Sequence, residues 1–304
     1  MSKPKIDVIL FSGVQNLPLF AAENLGFFRD QGLDVTVTST PNSWELRDGL
    51  AQGLYQVAHT AVDNAVAMVE LAGHDVAVVM GGDNGFNCLI FQKGVKDFED
   101  LRGQIVLVDA PNTAFALALY RIMQMKGLER SDYQIVSEGG THLRLARMLK
   151  DETARAAVMN LPFHLLAEQA GLQNKGEITS MVGPYLSTAG FVMRDWGKRN
   201  EAALVSYIKA YVEGLRWSLD PKNRAEAVKL LQERLKLEPT IAEKAYEIAA
   251  APGTGLAKDA AFDMEGFKNV LAIRAKVEGQ WGGKPPAAEK YVDLGYWKKA
   301  TSGA

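Results

Sequence analysis

The sequence has 304 residues, of which 47% are hydrophobic and 23% charged, and its formal net charge is −2. This length fits two domains of ordinary size better than one small core. A nearly neutral chain has no excess of positive charge that would attract nucleic acid, so no nucleic-acid partner is expected. The single cysteine, Cys88, excludes a disulfide framework and a thiolate metal site, and its apolar neighbours predict an inert buried side chain.

The N-terminal stretch MSKPKIDVILF is basic, but it enters an alternating strand pattern within a few residues. It has neither the apolar core nor the cleavage site of a secretory leader. No run approaches the roughly 20 apolar residues of a membrane-spanning helix, so no membrane span is expected. The protein is therefore expected to be cytoplasmic if the chain is complete as written, and periplasmic if a leader was removed.

The first 86 residues predict strands that alternate with helices. Strands are expected at residues 6–11, 33–38, 55–59 and 76–80. The longer helices are expected to end near residues 25, 52 and 71, and the second of them starts at Asn42 or Ser43. Residues 81–86 break the pattern after the fourth strand. Four strands alternating with helices predict an α/β layer of the parallel type.

A second layer of the same kind is expected between residues 89 and 171. Its extended segments are residues 89–92, 105–108, 133–137 and 154–159, and its helices are residues 114–123, 142–150 and a third that starts within 160–163. The clearest unit is the strand 105–108 with its polar turn and helix, for which Asn112 or Thr113 is the expected N-cap. Amides left uncapped at this helix start would carry partial positive charge and could bind an anion or a polar oxygen. The turn is therefore predicted to form one wall of a ligand cleft.

From residue 190 the sequence becomes rich in helix. Residues 191–193 read as extended, and helical patterns follow at residues 200–219, 224–234, 240–249 and 264–277. This segment cannot form a third sheet, so it is expected to pack on the existing layers and to return to the first one.

Three segments resemble a known family. Residues 24–35, NLGFFRDQGLDV, are similar to the G-F-F-x-x-x-G-L-x-V opening of type II periplasmic binding proteins, in their nitrate, sulfonate, taurine and thiamine-precursor branch. Residues 49–58 resemble the L-x-x-G-x-x-D-V-A segment of that branch, with Gln56 where the family usually has Asp. Residues 95–106 resemble its entry into the second lobe.

The resemblance implies a type II periplasmic-binding-protein fold, with two α/β lobes, two hinge crossings and a helical C-terminal segment on lobe one. Lobe one would comprise residues 1–86 and 190–304, and lobe two residues 87–189. The crossings would lie near residues 85–89 and 188–191. Hinge closure would trap a small ligand between the lobes. Such proteins deliver their ligand to an ABC permease, so a permease partner and a monomeric protein are expected.

Ligands of α/β layers sit beyond the C-terminal ends of the strands, and this rule selects the site candidates. They are Gln15, Asn16, Asn42, Trp44, His59, Thr60, Asp63, Asp83, Asp109, Asn112, Thr113, Thr141, His142, Asn160 and Phe163.

Several of these candidates also have a plain structural explanation. Trp44 would either stack on a planar ligand or pack under a neighbouring loop. His59 would either donate to a ligand oxygen or be a hydrogen-bonded structural histidine. Capping alone can explain Asp63 at the start of a helix, and Phe163 can equally be a core residue.

The candidate cleft contains both signs of charge. Its acidic residues are Asp63, Asp83 and Asp109, and its possible cations are His59, His142 and Arg144. Arg144 can equally lie on a solvated helix face. A dianion or nitrate would need more arginine, so the pattern favours a neutral or singly charged organic ligand of the sulfonate, aromatic acid or pyrimidine type.

The first hypothesis is therefore a solute-binding protein, without cofactor or metal, that serves an ABC transporter. The alternative is a cytoplasmic enzyme of the same fold. The chain resembles the pyrimidine synthase of thiamine formation in outline, but Thr60 and Asn64 stand at its Lys and His positions and its cysteine cluster is absent. An aromatic desulfinase of this fold has a nucleophilic Cys where this chain has Ser12. A third hypothesis is a ligand-sensing partner of a regulatory protein.

Overall fold

The computed structural model describes residues 3–302, and within them the strands form two five-stranded sheets. The first sheet has the order β2-β1-β3-β10-β4. Its strands are β1 (Lys5–Leu10), β2 (Asp34–Ser39), β3 (Val57–Ala61), β4 (Val76–Asp83) and β10 (Thr188–Met193). The second sheet has the order β7-β6-β8-β5-β9. Its strands are β5 (Cys88–Phe91), β6 (Ile105–Val108), β7 (Gln134–Ser137), β8 (Ala154–Met159) and β9 (Gln173–Glu177).

The first sheet is mixed, which corrects the expectation of a purely parallel layer. β1 pairs in parallel with both β2 and β3. β10 returns from the second half of the chain and lies antiparallel between β3 and β4. The fourth predicted strand is therefore separated from the third, because a distant segment takes the place beside it.

β4 continues through Asp83, although a break was predicted after residue 80. Gly81 pairs with Ala189, and Asp83 pairs with Thr188. A Cβ at Gly81 would lie 2.1 Å from the carbonyl oxygen of Ala261. Glycine at this position therefore permits close packing of the C-terminal segment on the strand, instead of ending the strand.

β9 was not predicted. Its sequence, QNKGE, has no apolar alternation, and it is an edge strand that pairs only with β5 within the described chain. An edge strand can be polar because one side of its backbone faces no other strand.

Helices cover both sheets. They are α1 (Leu17–Asn24), α2 (Phe27–Asp30), α3 (Ser43–Ala51), α4 (Asp63–Ala72), α5 (Ala114–Met125), α6 (Thr141–Lys150), α7 (Phe163–Gln169), α8 (Ile178–Val182), α9 (Arg194–Arg199), α10 (Glu201–Leu219), α11 (Arg224–Leu235), α12 (Pro239–Ala249), α13 (Met264–Glu278) and α14 (Gly295–Thr301). Asn42 caps α3, since its Oδ1 accepts the Glu45 amide at 2.8 Å. This confirms the start predicted for that helix.

The C-terminal segment packs on the layer of the first sheet, as expected. α10 lies against α1 so closely that a Cβ at Gly214 would be 2.3 Å from the Pro18 carbonyl oxygen. α13 also reaches α5, and its Phe267 and Leu271 share one buried apolar cluster with Tyr120 of α5. The segment therefore contacts the helical layers of both sheets.

The chain passes between the sheets twice. Residues 84–87 connect β4 to β5, and residues 178–187 lead from β9 back to β10. Residues 188–191, where the second crossing was expected, already pair within the first sheet. The outermost residues of the expected first lobe, 1–2 and 303–304, lie outside the described residues.

Candidate functional site

A cavity of about 50 Å³ lies between the two sheets. It is lined by Phe11, Ser12, Gln15, Ser43, Thr60, Ala61, Asn64, Asp83, Phe86, Asn87, Asp109, Thr113, Ala114, Phe115, Gly140, Thr141, His142, Arg144, Asn160, Ser187 and Thr188. Most of these residues follow a strand or begin a helix, where ligands of α/β layers bind. The cavity is smaller than the roughly 300–1,000 Å³ of pockets for drug-sized ligands, so it suits a small molecule.

Part of the predicted set lines this cavity. These residues are Gln15, Thr60, Asp83, Asp109, Thr113, Thr141, His142 and Asn160. They come from strand ends, loops and helix starts in different parts of the chain, so the fold brings together residues that are far apart in the sequence.

Two helices of the second sheet begin at the cavity wall. α5 starts after Thr113, whose hydroxyl donates to the Ala110 carbonyl at 2.9 Å and makes no capping bond to the helix. α6 starts after Gly140 and likewise has no side-chain cap. The first-turn amides of both helices therefore contribute partial positive charge to the cavity wall. The capping bond expected from Asn112 or Thr113 is absent at α5.

Arg144 adds a full positive charge to the same wall. Its side chain is buried, so the alternative of a solvated helix face is wrong. Its Nη2 donates to Thr141 Oγ1 at 2.9 Å and to the Val158 carbonyl at 3.1 Å, and its Nη1 donates to the Gly139 carbonyl. Burial lowers the pKa of Arg144 to about 10, so the guanidinium remains charged at neutral pH.

The two acidic residues of the cavity have different surroundings. Asp83 accepts the Gly85 amide at 2.9 Å and the Thr188 hydroxyl, and burial raises the pKa of its carboxyl group. Asp109 Oδ2 accepts the Ser43 hydroxyl at 2.5 Å, whereas its Oδ1 is buried and has no hydrogen-bond partner. Both acids thus line the cavity together with Arg144, and the wall contains groups of both signs.

Several hydrogen bonds cross the cleft and close it. Ser43 donates to Asp109, and the Gly140 amide donates to the Pro41 carbonyl at 2.8 Å. On another part of the rim, the Val14 amide donates to the Leu161 carbonyl at 3.1 Å. Each of these bonds joins a segment that follows a strand of the first sheet to one that follows a strand of the second, so the cleft is closed.

His59 does not line the cavity, because β3 runs two residues further than predicted and places it within the sheet. It is buried, its Nε2 lies 2.9 Å from the Tyr207 hydroxyl, and its ring stacks on Tyr211 at 4.9 Å. Burial lowers the pKa of His59 to about 3. The structural explanation of this histidine therefore fits the observed contacts.

The buried neutral His59 predicts acid sensitivity. The unfolded chain binds a proton at this residue below a pKa of about 6.5, whereas the folded chain binds one only near pH 3. The free energy of unfolding should therefore fall as the pH drops through this window, by about 1.4 kcal/mol per pH unit from this residue. Urea unfolding from pH 7.5 to pH 4.5 measures the slope. A His59→Gln variant should have a shallower slope, and an equal slope would contradict the assignment.

The other predicted residues outside the cavity lining have structural contacts. Asn16 donates to the Phe11 carbonyl at 2.7 Å, and Asn42 caps α3. Asp63 is paired with Arg274 and is fully buried. The backbone carbonyl of Asn112 accepts from the same arginine.

Two predicted aromatic residues also lie outside the lining. Trp44 is 55% exposed, so it neither stacks in the cavity nor packs under a loop. Phe163 lies against the apolar cluster of the second sheet, with its ring centroid 6.3 Å from that of His142.

Sequence reasoning missed three lining residues at the two crossings. Asn87 lies in the first crossing, Ser187 ends the second, and Thr188 begins β10. Asn87 Nδ2 donates to Ser187 Oγ at 2.8 Å, which ties the crossings together. The signal that could have found them is their position, since segments that join two facing layers must pass the cleft between them.

Within residues 3–302, no group of three or more His, Cys, Asp or Glu side chains is placed to hold a metal ion. None of the helices described there combines the length and the apolar composition needed to span a membrane. Cys88 is buried, as predicted, and burial raises the pKa of its thiol to about 12.

Comparisons with known proteins agree with this architecture. A family model described as NMT1/THI5 like matches residues 14–220. No curated protein sequence matches the chain.

Solved structures match over nearly the whole chain. A ligand-binding component of an ABC-type import system from Staphylococcus aureus, with zinc bound, is 13% identical with a TM-score of 0.81, covering 98% of this chain and 99% of that one. The periplasmic nitrate-binding protein NrtA from Synechocystis PCC 6803 is 15% identical with a TM-score of 0.81, covering 98% and 88%. The alkanesulfonate-binding protein SsuA from Xanthomonas axonopodis pv. citri, bound to MOPS, is 14% identical with a TM-score of 0.75, covering 96% and 99%.

At these identities the structural likeness shows the fold, which is that of the type II periplasmic binding proteins. The family match covers more than half of the sequence. The chain therefore belongs to the NMT1/THI5-like family.

Proposed function

We propose that this protein is a solute-binding protein that captures a small organic ligand in the cavity between its two sheets. The observation that carries the proposal is the cavity itself, which takes polar residues from both sheets and from both crossings. A site built by two halves of a molecule can close around a ligand and release it when the halves separate.

The proposed lobes are residues 1–86 with 190–304, and residues 87–189. They follow the two sheets except at Thr188 and Ala189, which already pair within the first sheet. The solved structures support a role in transport, because one of those neighbours is a ligand-binding component of an ABC-type import system. Two others are binding proteins for nitrate and for alkanesulfonates. We therefore propose an ABC permease as the partner, a monomeric binding protein, and a location outside the inner membrane where such a permease takes up its ligand.

The charged groups of the cavity wall restrict the charge of the ligand that can bind. Arg144 and two helix N-termini favour an anionic or strongly polar group, whereas Asp83 and Asp109 disfavour a dianion. The ligand class proposed is a neutral or singly charged organic molecule, of the sulfonate, aromatic acid or pyrimidine type.

Native mass spectrometry of the purified protein, followed by a thermal-shift series with butanesulfonate, benzoate and cytosine, tests this function. A compound present at 100 times its dissociation constant should stabilise the protein by about 2.7 kcal/mol, which raises the melting temperature by several degrees. The proposal would be contradicted if no small molecule is found bound and none of the three compounds shifts the melting temperature.

Two threonine variants make this test specific to the cavity. Thr60→Phe adds a ring to the cavity wall and should abolish the shift. Thr36→Phe places the same ring on an exposed position of the edge strand β2 and should preserve it. Equal shifts in both variants would place the binding site elsewhere.

A further inference from the structure

Arg274 joins both walls of the cavity without lining it. This residue belongs to α13, and only 1% of its side chain is exposed. Its Nε donates to Asp63 Oδ1 at 2.6 Å, and its Nη2 donates to Asp63 Oδ2. The same Nη2 donates to the Asn112 carbonyl at 3.0 Å, and Nη1 donates to Gln280 Oε1 at 3.2 Å. One guanidinium therefore has partners in three separate parts of the chain.

The first of these partners belongs to the wall built by the first sheet. Asp63 is the first residue of α4, and its neighbours Thr60, Ala61 and Asn64 line the cavity. The carboxylate is fully buried and accepts both of its bonds from Arg274 in a bidentate pair. A bidentate Arg–carboxylate pair fixes orientation as well as distance.

The second partner belongs to the wall built by the second sheet. Asn112 lies in the turn between β6 and α5, with the cavity residues Asp109 and Thr113 on either side. Its carbonyl is a backbone group, so the bond from Arg274 constrains the backbone of the turn directly. The packing of α13 on α5 brings the guanidinium to this position.

The charge of Arg274 is maintained despite its burial. Burial alone would lower the pKa of the guanidinium, but the attraction and hydrogen bonds of Asp63 outweigh it and raise the pKa. The bond to the Asn112 carbonyl is therefore a charge-assisted bond in a dry environment, which is stronger than a bond between neutral groups.

We propose that Arg274 is a positioning residue of the binding site, which holds the turn of residues 109–113 and the N-terminus of α5 in place against α4. The inference rests on the proposed function, because that function makes the cavity a binding site. It assigns to the C-terminal helical segment a direct part in shaping the site, although that segment supplies none of the residues that line the cavity.

Arg274→Lys tests the proposal, because lysine keeps the charge beside Asp63 but has no planar fork to reach a carboxylate and a carbonyl together. In the protein without ligand, hydrogen exchange of the amides of residues 117–119, the first of which donates to the Thr113 carbonyl at 2.9 Å, should become about tenfold faster, the effect of losing one charge-assisted bond. Any thermal shift that the unmodified protein shows with butanesulfonate, benzoate or cytosine should fall in parallel. The exchange of amides in α10 should change only as far as the global free energy of unfolding changes.

Arg194→Lys is the matched control. Arg194 Nε donates to Asp75 at 2.9 Å and its Nη2 donates to the Lys290 carbonyl at 3.3 Å, and none of these three residues lines the cavity. This variant should lower the melting temperature without faster exchange at residues 117–119. Equal exchange at those amides in both variants would overturn the proposal and leave Arg274 a purely structural residue.

A second variant covers the case in which Arg274→Lys does not fold. In the double variant Asp63→Leu with Arg274→Met, the buried charges are replaced together by apolar groups, a change that buried ion pairs commonly tolerate. Faster exchange at residues 117–119 in this folded variant supports the positioning role, and unchanged exchange refutes it. These experiments need no ligand, so their failure is distinguishable from a failure of the compound series, which would refute the proposed function instead.

Discussion

Replacing Asp63 with alanine is expected to lower the free energy of unfolding by about 3–5 kcal/mol. Asp63 and Arg274 form a bidentate pair in which neither side chain has more than 1% of its surface exposed. Without the carboxylate, the guanidinium of Arg274 remains in the interior without its paired acid. The penalty arises from this uncompensated buried charge, and it exceeds what the intact pair contributes to stability.

Urea unfolding of the variant measures this effect. The double variant Asp63→Leu with Arg274→Met should regain most of the lost stability, because it removes both charges from the interior. Glu233→Ala is the control, since it breaks the exposed Lys229–Glu233 pair of α11 and should leave the stability nearly unchanged. A loss in Asp63→Ala as small as that in the control would mean that Arg274 is hydrated in solution.

Replacing Arg144 with glutamine is expected to weaken the binding of a singly charged anion by roughly 10- to 100-fold. Arg144 is the buried cation among the lining residues, and the helix N-termini beside it carry only partial charge. Glutamine keeps a polar group of intermediate length but removes the full charge. The binding of a neutral ligand should change much less, because it gains little from that charge.

Isothermal titration with benzoate, butanesulfonate and cytosine measures the difference between anionic and neutral ligands. Arg147→Gln is the matched control, because Arg147 lies on the same helix but pairs with Asp151 at 2.8 Å on the half-exposed face. It should bind all three compounds as the unmodified protein does. An equal loss for anionic and neutral ligands in Arg144→Gln would show that Arg144 only shapes the wall.

The sequence was sufficient to predict the units in which local pattern and local chemistry agree. The unit from β6 to α5 is one example, with an apolar strand, a polar turn and a helix that begins at Ala114 as predicted. The cap at Asn42 is another, because the bond to the Glu45 amide joins residues three positions apart. Such features need no knowledge of the rest of the chain.

The features that could not be predicted depend on distant residues. Asp63 was a reasonable ligand candidate at a helix start, but its partner Arg274 lies 211 positions away and removes it from the solvent of the cleft. Likewise, β3 extends to Ala61 because it pairs with β10, a strand from the second half of the chain. That extension moves His59 into the sheet, where Tyr207 and Tyr211 of α10 enclose it.

The sequence predicted where the cavity lies, but only some of the residues that line it. The rule of strand ends selected Gln15, Asp109 and Asn160, which do line it. The same rule could not select Ser187 or Thr188, since they precede or begin a strand instead of following one. Their position depends on where the chain returns to the first sheet, which is a property of the tertiary fold.

The most direct test of the central claim is the distance between the two proposed lobes with and without ligand. Leu54→Cys and Leu149→Cys place dyes on two exposed side chains, one beyond α3 and one on α6, while the native Cys88 is buried. Single-molecule energy transfer should show a shorter distance when benzoate, butanesulfonate or cytosine binds, whichever of them raises the melting temperature. A distance that stays the same while the compound saturates the protein would contradict closure of the two halves around a ligand.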